Sequence, residues 1–354
     1  GLGDVYKRQV LNGVTDNEGG IGNGLYVNGS ITHTENAPEI SLKNTTITAT
    51  GEGMYLAGYT TTTLTNCNIT GMTGVEIRAG KLTVNGGSFT ATAPYSVSPN
   101  GNGSTTVGAA IAVAQHTTKK NIEVALNGGT YTGEKAISES NPQGNDPAPQ
   151  VAMSVTAGTF VGDVVTADVN NFITGGTFSS AVDTTYLADT VNYKVSGTNS
   201  VSYFTNLNDA VAAAGADDEV KNLKETSAHS GSTVTLKDGD TVITKLHTEA
   251  ATVDLPTLSK SGYTFKGWKD EDGKVYNGKL TILEENGGEL VVREAVTLTA
   301  VWSANSYYYY PSTSTTDSTT GKASPKTFDA GIGVYAVTAV LSLTGLAYTG
   351  KKKF

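Results

Sequence analysis

One short pattern recurs along the first half of the chain and constrains its fold more than any other feature. It consists of an apolar residue, a turn rich in Asn, Gly and Thr, and an Ile or aromatic residue five positions after the first. Successive copies are separated by steps of 22, 20, 42, 29 and 18 residues. A fixed offset repeated at such a period is typical of units that stack on one another. The six copies are Leu42–Thr48, Leu64–Thr70, Val84–Thr90, Leu126–Thr132, Val155–Val161 and Ile173–Ser179.

The period predicts a right-handed parallel β-helix over residues 10–190, with stacked strands about 4.8 Å apart. Asn and Gly between the two apolar positions would supply the positive φ angles of a corner. The 42-residue step is close to two periods, so we expect Ala109–Ala114 to fill a skipped turn, and a shorter copy begins at Val27 and extends the ladder to Ile31. An antiparallel β-sandwich also has short strands and frequent turns, and it stays open as the alternative.

The composition fits a mostly β protein and excludes several classes. The chain of 354 residues has 42 Gly and only 16% charged residues, which argues against a helix bundle or a doubly wound α/β enzyme. Its net charge of -9 argues against binding nucleic acid through phosphate neutralisation. The single Cys67 makes no intramolecular disulfide, and the four histidines share no metal-ligand spacing. We therefore expect no cofactor and no metal, and we interpret Cys67 as a small buried or turn residue.

The composition and pattern of the sequence change several times along the chain, and these changes predict its division into parts. The first nine residues lack the apolar core of a signal peptide and look like translated adapter sequence, so they are interpreted as non-native. The segment Asn206–Ala214 predicts a short helix capped by Asn206, within a connector that covers the end of the repeats. The predicted parts are 1–9 (non-native), 10–190 (β-helix), 191–230 (cap and connector), 231–302 (a second module), 303–323 (a disordered Ser/Thr/Tyr-rich spacer) and 324–354 (a C-terminal anchor).

The second module carries a distinctive aromatic motif. The run LPTLSKSGYTFKGWKDEDGKVY at Leu255–Tyr276, followed by VTLTAVW at Val296–Trp302, resembles the internalin-type B repeat, also called the Listeria–Bacteroides repeat. The resemblance implies a small ubiquitin-like β-grasp fold. Both Trp residues fall on core positions of that family, so core packing is favoured over a ligand platform. The implied core residues are Gly262, Tyr263, Phe265, Gly267, Trp268 and Trp302, with Pro256 and Ala300 also matching.

The end of the chain has three consecutive features. A short polar motif precedes Ala330–Gly350, which is 21 mostly apolar residues, and three lysines follow. At about 1.5 Å per residue this stretch would span roughly 31 Å, enough for a transmembrane helix with the lysines on the cytoplasmic side. The order resembles the cell-wall sorting signal of Gram-positive surface proteins. The positions that correspond to its recognition motif are Ser324, Pro325, Lys326, Thr327 and Phe328.

The resemblance to a sorting signal implies a covalent attachment. Pro325 and Thr327 match the familiar Leu-Pro-x-Thr-Gly, whereas Ser324 stands in place of Leu and Phe328 in place of Gly. A sortase cysteine would attack the Thr327 carbonyl and transfer the acyl group to an amine of peptidoglycan. The chain would contact the membrane only through its C-terminal helix before processing. A plain C-terminal membrane anchor is the alternative.

No catalytic constellation is apparent in the repeats. Polygalacturonase-type and lyase-type β-helices carry grouped acids, whereas here the acids stand singly, and HExxH, GxSxG and a P-loop are absent. We therefore predict a non-enzymatic adhesin or interaction protein, anchored to the wall at the cell surface, that binds an extracellular glycan or protein. The alternative is a wall-anchored polysaccharide lyase or hydrolase, which would need two acids within about 10 Å of each other in a groove. The scattered acids are Glu52, Glu76, Glu123, Asp163, Asp168 and Asp183.

Overall fold

The structure, a computed structural model, describes residues 9–13, 22–99 and 103–305, with only the backbone described for 9–13. It is mostly β, and twenty of its strands are joined in one large, mostly parallel sheet. No helix of the described ranges is long and apolar enough to cross a membrane. The predicted transmembrane segment Ala330–Gly350 lies outside the described residues, as does the spacer from residue 306 onward.

The repeats form fourteen strands in the described part of residues 9–190, most of them only three to six residues long. Four longer strands pass through a corner without interruption. The strands are β1 (Gln9–Gly13), β2 (Leu25–Val27), β3 (Glu39–Lys43), β4 (Thr45–Ala49), β5 (Met54–Leu56), β6 (Thr60–Gly71), β7 (Val75–Ile77), β8 (Gly80–Ala91), β9 (Ser96–Val97), β10 (Thr106–Val107), β11 (Ala109–Ala114), β12 (Ile122–Ser140), β13 (Val151–Val165) and β14 (Gly176–Phe178).

These strands pair in three parallel ladders. The first contains β3 and the beginnings of β6, β8, β12 and β13, and the second contains β4, later parts of the same long strands and β14. The third contains β2, β5, β7, β11 and the end of β12. Apolar side chains from all three ladders meet in one buried cluster, so the three ladders enclose a common core.

The second ladder stacks the six motif residues directly on one another. Ile47 pairs with Ile69, Ile69 with Phe89, and the register continues without a slip at this position to the last copy. Consecutive ring centroids of the aromatic members lie 5.3, 4.8 and 4.7 Å apart, which is offset stacking. The predicted column is therefore confirmed. Its members, each at most 1% exposed, are Ile47, Ile69, Phe89, Tyr131, Phe160 and Phe178.

The corner before each stacked residue has the predicted backbone conformation. Asn44 and Asn66 have φ angles of 52° and 51°, and at least one glycine with a positive φ angle lies in the corner of each of the four later copies. At Gly87, whose φ is 105°, an added Cβ would lie 2.0 Å from the carbonyl oxygen of Cys67. Only glycine fits this close approach of two corners. Cys67 itself is fully buried, as expected from its small size.

The prediction for the 42-residue step is wrong. Phe89 pairs directly with Tyr131, so no turn is skipped between them. Ala109–Ala114 instead forms a strand of the third ladder, between β7 and β12, and is buried on both faces. The extra residues form an excursion that contains the antiparallel pair β9 and β10. The shorter copy at Val27 is also misassigned, because Val27 pairs with Leu56 in the third ladder and Ile31 lies outside the strands.

The last parallel strand is covered by an antiparallel hairpin. Strand β16 (Val201–Phe204) pairs antiparallel with β14, and the Tyr203 ring meets Phe178 edge to face with centroids 5.8 Å apart. This hairpin covers the edge of the last parallel strand, which is the role predicted for the cap. The helix α1 (Leu207–Ala213) follows, and the Asn206 side chain caps it by accepting a hydrogen bond from the Asp209 backbone N–H at 2.9 Å.

The C-terminal half of the described chain has a second core. Strand β18 (Ser232–Asp238) pairs antiparallel with β19 (Thr241–Thr248) and parallel with β26 (Ala295–Ala304). Strand β21 (Tyr263–Lys269) pairs antiparallel with β26 and completes this group. Ala210 and Val211 of α1 belong to the same buried cluster as Trp268, so this core extends across residue 230. Its strands are β15 (Tyr193–Ser196), β16 (Val201–Phe204), β17 (Glu219–Asn222), β18 (Ser232–Asp238), β19 (Thr241–Thr248), β20 (Thr252–Asp254), β21 (Tyr263–Lys269), β22 (Val275–Tyr276), β23 (Lys279–Thr281), β24 (Leu283–Asn286), β25 (Glu289–Val292) and β26 (Ala295–Ala304).

Replacing Phe89 by Ala tests the importance of the column. Phe89 is fully buried between Ile69 and Tyr131, so we expect the free energy of unfolding to fall by about 3–5 kcal/mol in denaturant titrations. Thr90→Ala, at the partly exposed neighbouring position, should change it by no more than about 0.5 kcal/mol. Equal, small losses in both variants would contradict the stacking.

Candidate functional site

The predicted sortase recognition residues Ser324–Phe328 lie outside the described residues. Their role therefore stays a prediction from the sequence. The predicted B-repeat residues all lie within the described residues. Their contacts indicate whether they pack in the core or are available to bind a ligand.

Trp268 and Trp302 both have structural partners. Trp268 is fully buried and its Nε1–H donates to the Pro256 carbonyl oxygen at 2.7 Å, whereas the partly buried Trp302 donates to Asp238 Oδ1 at 2.9 Å. The Phe265 ring lies edge to face with both indoles, at centroid distances of 5.5 and 5.2 Å. These contacts leave neither Trp available as a flat binding platform.

Two glycines of the same motif have positive φ angles. Gly262 and Gly267 have φ values of 79° and 124°, and Gly267 lies at a bulge where an added Cβ would be 2.6 Å from the Tyr276 carbonyl oxygen.

One tyrosine of the motif is not in the core. Tyr263 is 46% exposed, so its prediction as a core residue is wrong. Tyr263 is the first residue of β21, pairs with Ala304 near the end of β26 outside the packed centre, and its ring contacts the Lys260 ammonium group.

A buried group of charged side chains lies on the outer side of the third ladder. Glu76 and Arg78 are both fully buried, and Glu52 is 4% exposed. Thr105 donates to Glu76 from its backbone N–H at 3.1 Å and from its hydroxyl at 2.6 Å, and the Arg78 guanidinium lies 3.9 Å from the same carboxylate. The expectation that the acids stand singly is therefore wrong for Glu52 and Glu76, whose carboxyl groups are neighbours.

The surroundings of these groups set their charge. Burial raises the pKa of Glu52 far above its usual range, and the adjacent Glu76 carboxylate raises it further, so Glu52 is protonated at neutral pH. Burial also raises the pKa of Tyr55 to about 12, although Arg78 donates to the Tyr55 hydroxyl at 3.2 Å. Arg78 donates as well to the carbonyl oxygens of Gly103 and Gln115. The cluster thus ties the excursion 92–108 to the sheet.

The sequence does not reveal this cluster because its members come from different turns of the chain. Glu52 and Glu76 are 24 residues apart, which is close to the repeat period, but neither belongs to the recurring motif. Only the period itself indicates that the two acids become neighbours. Both carboxyl groups lie beneath the segment that contains Thr105, so the acid pair does not line an open groove.

An open groove lies beside this buried cluster. Its volume is about 390 Å³, and its lining includes Tyr26, Asn28, Ser30, Tyr55, His116 and Thr118. We call it the tyrosine groove. Tyr26 is 57% exposed, and its ring stacks on that of Tyr55 with centroids 5.3 Å apart and planes inclined by 27°. The groove therefore presents one accessible aromatic face surrounded by hydroxyl and amide groups.

The tyrosine groove is uncharged near neutral pH. None of the described residues that line it is Lys, Arg, Asp or Glu. Burial lowers the pKa of His116, and the nearby Arg78 lowers it further, which keeps the imidazole neutral. The His116 Nδ1 lies 3.1 Å from the Thr118 hydroxyl, and Gly29 leaves room for the ring, since a Cβ there would be 2.9 Å from its Cε1. Such a site suits a neutral polar ligand.

Comparisons with known proteins give no further guide. No family model matches the chain, and neither a curated protein nor a solved structure is significantly similar to it. Within residues 22–99 and 103–305, no group of three or more His, Cys, Asp or Glu side chains is arranged to hold a metal ion.

The buried Glu52 predicts a specific pH dependence of stability. Above its ordinary pKa near 4.5 the unfolded chain releases the Glu52 proton, whereas the folded protein retains it. The contribution of Glu52 to the free energy of unfolding should therefore fall as pH rises from that value towards the raised pKa of the folded state, by at most about 1.4 kcal/mol per pH unit. Glu52→Gln removes this loss, so its stability relative to the wild type should increase steadily between pH 5 and 8 in denaturant titrations.

Glu123→Gln is the matched control for this pH series. The Glu123 side chain is 58% exposed and pairs with Lys81 at the surface, so its variant should show no comparable trend. A difference between Glu52→Gln and wild type that does not change with pH would show that the folded protein does not protect the Glu52 proton.

Proposed function

We propose that this chain is a cell-surface adhesin that binds a neutral glycan in the tyrosine groove. The observation that carries the proposal is the exposed Tyr26 ring, stacked on Tyr55 inside an uncharged groove. A pyranose ring has an apolar C–H face that packs on an aromatic ring, and hydroxyl groups that need hydrogen-bond partners. An aromatic body next to a few convergent polar groups suits this chemistry.

The scaffold that we propose for this groove is a right-handed parallel β-helix over residues 10–190. The three in-register parallel ladders around one core support it, and parallel connections in a sheet are nearly always right-handed. For residues 231–302 we propose the β-grasp fold that the B-repeat motif implies. The parallel pairing of β18 with β26, the two chain-distant strands of this module, is consistent with it.

Binding is favoured over polysaccharide cleavage by the state of the acid pair. A lyase or hydrolase needs carboxyl groups that reach the substrate within hydrogen-bond distance. Glu52 and Glu76 are neighbours, but they are buried, and Glu76 is already engaged by Thr105 and Arg78. The enzyme alternative would require the segment over this pair to open.

We further propose that the protein is displayed on a Gram-positive cell wall. The support is the sequence motif Ser324–Phe328, the apolar stretch Ala330–Gly350 and the terminal lysines. A sortase would cleave after Thr327 and join the chain to peptidoglycan. Strand β26 includes Ser303 and Ala304, so the remaining spacer residues 306–323 would provide up to about 65 Å of reach to carry the folded part through the wall.

Replacing Tyr26 by Ala tests the binding site. The full-length protein is screened on an array of neutral and acidic glycans, and the affinity of the best neutral oligosaccharide is then measured by calorimetry. Removing the stacking ring should weaken binding at least about 10-fold, which corresponds to about 1.4 kcal/mol. Because Tyr26 is 57% exposed, the variant should keep the stability of the wild type.

Tyr263→Ala is the matched control, since Tyr263 is an exposed tyrosine of similar accessibility in the other module. It should bind as the wild type does. Two results would refute the site: unchanged affinity in Tyr26→Ala, or an array in which only acidic glycans are bound.

Replacing Thr327 by Ala tests wall attachment. In a Gram-positive host with a matching sortase, muramidase should release a protein whose C-terminal residue in mass spectra is Thr327. Thr327→Ala should abolish this product, because the acyl donor residue is altered, while Thr320→Ala in the spacer should not. The plain membrane anchor would be the remaining interpretation if the wild-type chain in the membrane fraction ended at Phe354 and Thr327→Ala gave the same product.

A further inference from the structure

The second module begins and ends with two strands that lie side by side. Its first strand, β18, pairs in parallel with its last strand, β26, over five consecutive residue pairs, the first of which is Thr233 with Ala295. The chain enters β18 at Ser232 and leaves β26 after Ala304. Because parallel strands run in the same direction, these two points lie at opposite ends of the shared ladder.

This geometry determines how the module responds when its two ends are pulled apart. Tension moves β18 towards its start and β26 towards its end, so the two strands have to slide along each other. Sliding loads the hydrogen bonds of all five residue pairs at the same time, whereas peeling the strands apart from one end breaks them one after another. A ladder that is loaded in shear therefore withstands a higher force than the same ladder loaded at one end.

Buried side chains on the two strands add to this resistance. Val234, Leu236 and Leu298 are fully buried, and Val296 is 7% exposed. The register places Val234 opposite Val296 and Leu236 opposite Leu298, in the same core as Trp268. Sliding one strand past the other would separate these pairs and disrupt a close-packed core.

A side-chain contact joins the two strands beyond the last backbone pair. The Trp302 Nε1–H on β26 donates to Oδ1 of Asp238, the final residue of β18, at 2.9 Å. The Lys260 ammonium group donates to Oδ2 of the same carboxylate at 2.9 Å and holds the pKa of Asp238 below its ordinary value. Hydrogen bonds to a charged acceptor are stronger than those between neutral groups. This contact must also break before β26 can move along β18.

Paired strands also connect this ladder to the repeats. Strand β17 pairs in parallel with β19, the antiparallel neighbour of β18, and β15 and β16 continue the sheet to β14 of the second ladder. The segment before β18 is bonded to the end of β19, where the Thr248 hydroxyl donates to Glu225 at 2.8 Å and the Ser227 hydroxyl donates to Glu249 at 2.7 Å. Tension applied to the repeats therefore reaches the module through a hydrogen-bonded sheet.

We infer that the second module is a load-bearing clamp, which keeps its fold when tension acts between the repeats and the C-terminal end of the chain. A surface protein that is bound to a ligand on one side and held at the cell on the other experiences this tension. The inference adds a mechanical function to the surface display proposed above. The resistance of the ladder itself requires neither a glycan nor a sortase.

Single-molecule force spectroscopy on the full-length chain tests the clamp. Pairs of introduced cysteines carry the handles, and the native Cys67 is fully buried in the folded protein. Ser230→Cys with Ala304→Cys loads the ladder from opposite ends, whereas Ser230→Cys with Glu294→Cys loads it from the end where both strands begin; all three positions are exposed. At the same loading rate, the first pair should unfold the module at a force at least about twofold higher, because it loads all five residue pairs together.

A further variant separates the direction of loading from overall stability. Trp302→Phe keeps an aromatic ring but removes the hydrogen bond to Asp238. It should lower the unfolding force only for the first cysteine pair, since under the second pair the ladder begins to open at its far end. Thermal unfolding without force should give the same midpoint for the two cysteine pairs, so that a difference in force reports direction alone.

Two results would overturn the inference: equal unfolding forces for the two cysteine pairs, or a Trp302→Phe variant that weakens both pairs alike. The measurement contains no glycan and no cell wall. Its outcome is therefore distinct from a failure of glycan binding or of wall attachment.

Discussion

In-register pairing of parallel strands is the constraint on which the rest of this structure depends. Because each strand of the second ladder lies directly over the last, the residue five positions after the first apolar residue of each motif must meet its counterpart in the next repeat. Ile, Phe and Tyr satisfy this requirement by stacking, and Asn or Gly must precede them to turn the chain. The same constraint leaves the final strand with unpaired backbone groups, which the antiparallel strand β16 satisfies. One local pattern therefore determines the core, the corners and the need for a cap.

The parts of the fold that the sequence predicts are those that this pattern encodes locally. The column of six residues, the left-handed corners at Asn44 and Asn66 and the helix capped by Asn206 were all readable from short segments. The third ladder was not, since β2, β5 and β7 are only three residues long and share no motif. Ala109–Ala114 was misplaced for a related reason. A strand covered on both faces has no alternation, so its apolar run does not tell which ladder it joins.

The candidate sites were harder to predict because they depend on contacts between distant turns of the chain. Glu52 and Glu76 become neighbours only through the repeat period, and the burial that protonates Glu52 comes from a third segment around Thr105. The exposure of Tyr26 likewise depends on which ladder contains β2. In the second module, the motif correctly placed Trp268 in the core but wrongly placed Tyr263 there, since a motif records residue types and not where a strand leaves the core.

The tyrosine groove occurs where the repeat length departs from about 20 residues. The 42-residue step supplies Gly103 and His116–Thr118 to its lining. Residues in the column are restricted to side chains that stack, so they have little freedom to acquire a binding role. Inserted residues are free of that restriction and lie along one side of the ladders, where insertions in repeat proteins usually form the binding face. The irregular steps, which obscure the repeat in the sequence, are therefore the segments from which the protein builds its surface chemistry.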